Sequence, residues 1–146
     1  VPIIIYDPIK YVVGVIHAGR LGTQKRILTK TAEALSRAYD SNPKDLIVGM
    51  GPAIRGRCYE LDEPCAFPFI KKSPFCSEFI NKTGGNKFFL DLPKVNRFEG
   101  YEAGILMKNI YTDGPCTSCE NHRWYSYRRE GKTGRLITLA MLQSRE

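Results

Sequence analysis

The stretch Gly14-Val15-Ile16-His17-Ala18-Gly19-Arg20-Leu21-Gly22-Thr23 decides how the chain is organised. An apolar run ends at His17, and glycines on both sides of a basic residue follow it. Because glycine permits sharp turns, the stretch predicts a strand that delivers His17 into a glycine-lined turn. Thr23 is predicted to cap a helix that runs to Tyr39, since its hydroxyl can accept hydrogen bonds from the first helical turn. His17 and Arg20 would then stand just before a helix N-terminus, which attracts anions.

The segments around this stretch predict an α+β domain. Residues 1–6 and 11–16 are rich in β-branched side chains and predict a hairpin whose second strand leads to His17. Further elements are predicted as strands at 45–50, 88–90 and 109–112, and as a helix from its N-cap Asp91 to about Ala103, with Gly104 at its end.

Two parts of the chain carry weaker patterns. Residues 61–87 predict loops and short helical turns, because prolines interrupt them. Residues 124–129 alternate large and small or polar side chains, and residues 135–142 follow a glycine-containing turn. These two segments therefore predict a C-terminal β-hairpin.

Composition limits the class of protein. A chain of 146 residues with 42% hydrophobic side chains is large enough for one domain with a real core. No apolar run approaches the ~20 residues that span a bilayer, so no membrane segment is expected. The start carries no signal peptide, which predicts a cytoplasmic protein. A net charge of +7 favours anionic partners, but the scattered basic residues make nucleic acid an unlikely partner.

Several polar side chains are candidates for a site. Guanidinium groups hold phosphate in a bidentate manner, and a solvated surface position is the alternative for each candidate. The candidate arginines are Arg20, Arg55, Arg57, Arg128 and Arg129.

The five cysteines predict reduced thiols, since their number is odd and no secretory signal is present. Cys116 and Cys119 form a single C-x-x-C, which is half of a structural zinc site. Cys58 is either a nucleophile beside a glycine loop or a small buried side chain. His122 lies in a polar loop and is expected to be exposed. The residues alone thus predict a basic α+β domain with an anion or metal site near His17.

Five segments in the same order resemble motifs of the YfiH family, also called laccase-domain or multicopper polyphenol oxidase-like proteins. The resemblance covers nearly the whole chain, although the Trp-Arg pair of the family's H-A-G-W-R-G motif is Arg20-Leu21 here. The segments are His17–Gly22, Gly51–Leu61, Phe89–Asn96, Cys116–Cys119, and Tyr125–Arg129 with Thr133–Arg135.

The resemblance implies two packed mixed β-sheets flanked by helices. It also implies a purine nucleoside phosphorylase, with purine nucleoside and phosphate as its partners. Adenosine deamination and methylthioadenosine phosphorolysis are associated with the family as well. In that reading Arg20 and Arg128 hold phosphate, and Tyr127 stacks on or hydrogen bonds the nucleoside.

The resemblance further implies a metal, usually zinc with copper as the alternative, held by two histidines and a cysteine. Among these ligands only His17 has a counterpart in this sequence. The cysteine precedes a run similar to Val1–Ile5 in the family, and the other histidine lies further upstream. We therefore expect residues 1–146 to be one domain that lacks its N-terminal portion, without a tightly held zinc at His17.

Three alternatives stay open at this stage. The chain is a non-catalytic module that binds nucleotides or RNA, a copper-dependent polyphenol oxidase, or a thiol enzyme that uses Cys58. Turnover of a nucleoside to free base and sugar phosphate would favour the phosphorylase, whereas salt-steep nucleic-acid binding without turnover would favour the binding module.

Overall fold

A computed structural model describes residues 1–72 and 78–144 of the chain. These residues form two β-sheets and five α-helices, which confirms the predicted α+β class. The strands are β1 (Pro2–Asp7), β2 (Val12–His17), β3 (Ile47–Met50), β4 (Glu60–Asp62), β5 (Ile80–Gly84), β6 (Lys87–Leu90) and β7 (Ile110–Tyr111). The helices are α1 (Arg20–Gln24), α2 (Ile27–Tyr39), α3 (Glu63–Lys72), α4 (Leu92–Glu102) and α5 (Tyr127–Glu130), with 3-10 turns at Pro43–Asp45 and Met107–Asn109.

The predicted N-terminal hairpin is confirmed. Strands β1 and β2 pair antiparallel, with Pro2 opposite His17. The turn is held by Asp7, whose Oδ1 accepts hydrogen bonds from the backbone N–H groups of Ile9 (2.8 Å) and Lys10 (2.9 Å). An aspartate that binds the backbone two and three residues onward stabilises a tight turn. The hairpin therefore fixes His17 at the open end of β2.

The first sheet has the strand order β2-β1-β3-β7 and is mixed. Strand β3 pairs antiparallel with β1 and parallel with β7. The helix α2 covers one face of this sheet, because Leu28 and Ala32 point into a core that also contains Ile3, Ile5 and Val48. These side chains are almost completely buried, and such burial is the main source of stability in a domain of this size.

The second sheet has the order β4-β6-β5 and is antiparallel throughout. Its core contains Leu61, Phe69, Leu90 and Val95, and Val1 packs against both this core and the core of the first sheet. Residues 61–87 thus contain β4, α3 and β5, rather than only the predicted loops and short helical turns. The sequence underestimated this segment because α3 tolerates two prolines: Pro64 in its first turn, where a missing N–H costs nothing, and Pro68 inside the helix.

The single helix predicted from Thr23 to Tyr39 is wrong at its start. Arg26 has a φ of 58°, in the left-handed region, and separates α1 from α2. Thr23 is not an N-cap but a fully buried residue inside α1. Apolar periodicity carries no information about this break. The Arg26 side chain contacts a distant element, since its Nη2 lies 3.2 Å from Glu102 Oε2 on α4.

The buried side chain of Asn96 connects α4 to the turn after His17. Its Nδ2 donates to Thr23 Oγ1 (2.9 Å) and to the Leu92 carbonyl (2.9 Å). Thr23 Oγ1 in turn donates to the carbonyl of Ala18, next to His17, at 3.5 Å. The predicted cap of α4 is confirmed, since Asp91 accepts from the N–H of Lys94. Helix α4 therefore holds the turn that follows His17 through the Asn96 amide.

The predicted C-terminal hairpin is wrong. Residues 127–130 form the short helix α5, and residues 131–144 contain no strand. Carbonyl oxygens that a hairpin would pair across strands are taken locally: the Ser126 carbonyl accepts from the N–H groups of Arg129 and Glu130. The last segment instead leaves α5 and reaches Tyr11, whose hydroxyl donates to the Gln143 carbonyl.

None of the helices in the described ranges is long and apolar enough to cross a membrane.

We predict that Asn96→Ala lowers the free energy of unfolding by about 1–3 kcal/mol, because it leaves the buried Thr23 hydroxyl without its donor. Chemical denaturation measures this change. Asn81→Ala, at an exposed position on β5, is the matched control and should change stability by less than about 0.5 kcal/mol. A double-mutant cycle with Thr23→Val should show coupling, and strict additivity would contradict the assigned contact.

Candidate functional site

His17 projects from the last position of β2 into a turn lined by glycine. A methyl group added at Gly19 would lie 3.1 Å from His17 Nε2, and one added at Gly22 would lie 3.2 Å from the His17 carbonyl oxygen. Such separations are tighter than ordinary van der Waals contact, so Gly19 leaves room for the imidazole ring and Gly22 for the backbone of His17. The His17 residue itself is exposed. The imidazole is therefore accessible to a ligand.

A cleft of about 400 Å³ brings three of the four predicted site residues together: His17, Tyr127 and Arg128. The predicted Arg20 does not line this cleft; it is half-buried at the start of α1. Its role in phosphate binding stays a prediction. The cleft lies between the N-terminal hairpin and the segment around α5, which are distant in sequence.

The cleft contains two further side chains that the sequence reasoning gave no role, Tyr59 and Arg135. The Arg128 guanidinium stacks 4.8 Å from the centre of the Tyr59 ring, and it donates to the Glu60 carbonyl. Arg135 stacks in the same way on Tyr127, at 5.6 Å. Guanidinium groups favour aromatic faces, but neither stacked pair is adjacent in sequence, so the sequence offered no local signal for them.

The cleft is electropositive. Arg128 and Arg135 line it, and its described lining residues include no Asp or Glu. Both arginines keep donors that the recorded carbonyl contacts do not use, since each guanidinium carries five N–H groups. A concave site with two guanidinium groups and aromatic rings can hold a planar ligand with an attached anion.

Arg55 and Arg129, two other phosphate candidates, are engaged by backbone carbonyls. Arg55 donates to Thr112 and Gly114 and thereby holds the loop after β7. Arg129 Nη1 donates to the carbonyls of Thr117 (2.7 Å) and Ser118 (2.8 Å). Its Nη2 donates to the Trp124 carbonyl at 2.9 Å. These two side chains organise loops and offer little to a ligand.

Three cysteines meet outside the cleft. The sulfur atoms of Cys58, Cys116 and Cys119 all lie within 4.8 Å of one another, and those of Cys58 and Cys119 are 3.0 Å apart. The four cysteines in the described part of the chain are free, as predicted; Cys76 lies outside it. A cluster of three thiols could hold a metal ion. The sequence missed Cys58 as a partner, because it precedes the C-x-x-C by about 58 residues.

The cluster has an uneven charge distribution. Burial raises the pKa of Cys116, but hydrogen bonds from the backbone N–H groups of Arg55, Cys119 and Ser118 outweigh burial and lower it to about 7. Burial and the neighbouring sulfur atoms raise the pKa of Cys58 to about 11. The Cys116 thiol therefore ionises before the Cys58 thiol.

The remaining candidates are placed as follows. His122 is exposed, as expected from its polar loop. Arg57 Nε lies 3.2 Å from Cys119 Sγ, so its guanidinium faces the sulfur cluster and not the His17 cleft.

Residues 1–143 match the family described as multi-copper polyphenol oxidoreductase laccase, and the chain belongs to this family. The predicted resemblance is thereby confirmed. Solved structures agree: the chain is similar to the hypothetical protein YfiH of Bacillus licheniformis, with 32% identity and a TM-score of 0.84 over 88% of this chain and 48% of that one. It is also similar to the Neisseria meningitidis protein NMB0706, with 27% identity and a TM-score of 0.81 over 91% and 52% of the two chains.

Curated relatives are named as purine nucleoside phosphorylases. The protein YlmD of Bacillus subtilis is 36% identical over 140 residues, which are 94% of this chain and 50% of the relative. Human LACC1 is 30% identical over 135 residues, which are 90% of this chain and 31% of the relative. The chain thus spans about half or less of the length of these relatives.

We predict that Arg129→Ala lowers the free energy of unfolding by about 2–3 kcal/mol, because three carbonyls lose a charged donor. Arg128→Ala is the matched neighbour and should change stability by less than about 0.5 kcal/mol, since Arg128 is exposed. Thermal or denaturant unfolding of both variants measures the difference. Equal losses in the two variants would show that Arg129 does not organise the loop.

Proposed function

We propose that the protein containing this chain is a purine nucleoside phosphorylase and that the His17 cleft is part of its active site. The observation that carries the proposal is the meeting of His17, Tyr127 and Arg128 in one electropositive cleft. The names of the relatives support the same reaction. A bounded cleft of about 400 Å³ suits a small ligand better than an extended nucleic acid.

Phosphate is the anion assigned to the arginines. The Arg128 guanidinium is oriented by the Glu60 carbonyl and the Tyr59 ring, so its plane is fixed before an anion arrives. Pre-orientation lowers the entropic cost of binding and of reaction. Arg135, held by the carbonyls of Thr133 and Gly134, supplies a second positive charge.

The nucleoside is assigned to the tyrosines of the same cleft. Tyr127 is exposed and lies beside the arginines, where its ring is available to stack on a purine. Its hydroxyl also offers a hydrogen bond to the base or the ribose. Tyr125 lines the cleft as well and adds aromatic surface.

The reaction transfers a ribosyl group. A phosphate oxygen forms a bond to the anomeric carbon while the bond from that carbon to the purine nitrogen breaks. The electron pair of the broken bond leaves with the purine, which takes up a proton from solvent, and ribose 1-phosphate is the second product. Arg128 holds and orients the attacking phosphate, and Tyr127 positions the departing base.

We also propose a metal ion at His17, with zinc preferred and copper as the alternative. A zinc site of this kind needs three protein ligands. Among the described residues, His17 has no second and third potential ligand beside it, since the one group of three potential ligands is the cysteine cluster. The described residues therefore do not form a complete site at His17. The backbone supports a ligand from outside: Val1 and Ala18 exchange N–H···O hydrogen bonds, so a residue before Val1 would lie beside Gly19. We derive no catalytic step through this metal.

We expect the complete natural protein to convert inosine, adenosine or guanosine to free base and ribose 1-phosphate only when phosphate is present. Chromatography of the base and an assay of ribose 1-phosphate measure this. Arg128→Ala should lower kcat/KM at least about tenfold, mainly through a higher KM for phosphate. Arg37→Ala, on the exposed face of α2, is the control and should match the unmodified protein. Phosphate-independent release of base, or no release of base, would contradict the proposal.

The role of Arg20 is tested separately. Arg20→Ala should weaken phosphate binding if the guanidinium reaches the anion from the glycine turn, and calorimetric titration with inorganic phosphate measures it. Unchanged affinity in Arg20→Ala together with a loss in Arg128→Ala would restrict phosphate binding to the cleft itself.

A further inference from the structure

We propose that Cys58, Cys116 and Cys119 bind a zinc ion behind the wall of the His17 cleft. This site shares no ligand with the metal assigned to His17, and it does not depend on the proposed activity. The assignment rests on the positions of three sulfur atoms and on the loops that carry them.

The three sulfur atoms have nearly the spacing that zinc requires. Tetrahedral zinc with Zn–S bonds of about 2.3 Å places its sulfur ligands about 3.8 Å apart. Here the separation of Cys58 Sγ and Cys119 Sγ is 3.0 Å, and all pairs lie within 4.8 Å. Shifts of about 1 Å or less, achieved by small side-chain rotations, convert this arrangement into three corners of the tetrahedron.

Three thiolates bound to a divalent ion carry a net charge of −1. The surroundings of the cluster compensate this charge. Arg57 Nε lies 3.2 Å from Cys119 Sγ, and the backbone N–H of Arg55 donates to Cys116 Sγ at 3.4 Å. Hydrogen bonds from outer residues orient metal ligands and raise affinity. Thiolate sulfur selects soft or borderline-soft metals such as zinc over magnesium or calcium.

The fourth coordination position faces solvent. Cys119 is exposed, and Cys116 borders an open depression of about 480 Å³ that is also lined by Glu120. A water molecule from this depression can complete the coordination of zinc. Thiolate sulfur binds both zinc and copper(I), and a tetrahedron completed at an accessible fourth position is a geometry of zinc.

The loops that carry the cysteines also form the cleft. Ala53 and Cys116 are joined by a parallel bridge, in which the N–H of Ala53 donates to the Pro115 carbonyl and the N–H of Thr117 donates to the Ala53 carbonyl. Tyr59 and Thr117, the neighbours of two of the cysteines, line the His17 cleft. Zinc therefore fixes the wall of the cleft without entering it.

The test is the zinc content of the reduced protein after gel filtration without chelator, measured by mass spectrometry of the metal. We expect one zinc per chain that survives His17→Ala and Cys65→Ser, where Cys65 is the matched thiol on α3 outside the cluster. Cys58→Ser and Cys119→Ser should each lower zinc affinity by more than the roughly 10–100-fold that loss of an outer partner costs. Both positions are accessible to solvent, which limits the effect on folding.

Cobalt provides a second readout. Cobalt(II) in the His17→Ala protein, where the cluster is the remaining assigned thiolate site, should show sulfur-to-metal charge-transfer absorption that is weakened by adding Cys58→Ser and unchanged by adding Cys65→Ser. The proposal is overturned by any of three results: zinc lost in His17→Ala but kept in the cysteine variants, copper(I) bound in place of zinc, or a Cys58–Cys119 disulfide with no zinc affinity after reduction. Failure of the phosphorylase assay alone would leave these metal measurements unaffected.

Discussion

The hydrogen bonds of the buried Asn96 amide hold α4 against the turn that follows the N-terminal hairpin. Asn96 reaches from α4 to Thr23, and Thr23 reaches the carbonyl of Ala18 directly after the site histidine. A buried amide NH2 group is costly unless its hydrogen bonds are made, and the Asn96 Nδ2 bonds to Thr23 and Leu92 favour this placement of α4 over the N-terminal hairpin. The position of His17 relative to both sheets follows from that placement.

Local chemistry explains which parts of the fold the sequence predicts well. The N-terminal hairpin, the cap at Asp91 and the end of α4 at Gly104 (φ 91°) each depend on residues within a few positions of one another. The break at Arg26 accompanies an ion pair with Glu102, which is distant in sequence, whereas the C-terminal hairpin is replaced by the local hydrogen bonds of α5. Apolar periodicity reports neither a distant ion pair nor a short helical turn, so both features were mispredicted.

The candidate site also contains residues that the sequence predicted and residues that it did not. The glycine turn identified His17, and the ordered motifs of the family added Tyr127 and Arg128, which share a cleft with it. The structural use of Arg129 and Arg55 was hidden, because an arginine that binds carbonyls and an arginine that binds phosphate look alike in sequence. The third sulfur ligand was hidden for a related reason: Cys58 meets the C-x-x-C only through the bridge between Ala53 and Cys116.

The strand order β2-β1-β3-β7 has a consequence for how the molecule folds. The hairpin of β1 and β2 closes a loop of a few residues, whereas the parallel pairing of β3 with β7 closes a loop of about 60 residues. Contacts between distant parts of a chain form late, because the entropy of loop closure must be lost before they stabilise anything. The cleft includes residues on both sides of that late contact. Formation of the complete cleft therefore depends on a long-range contact that the turn after His17 does not need.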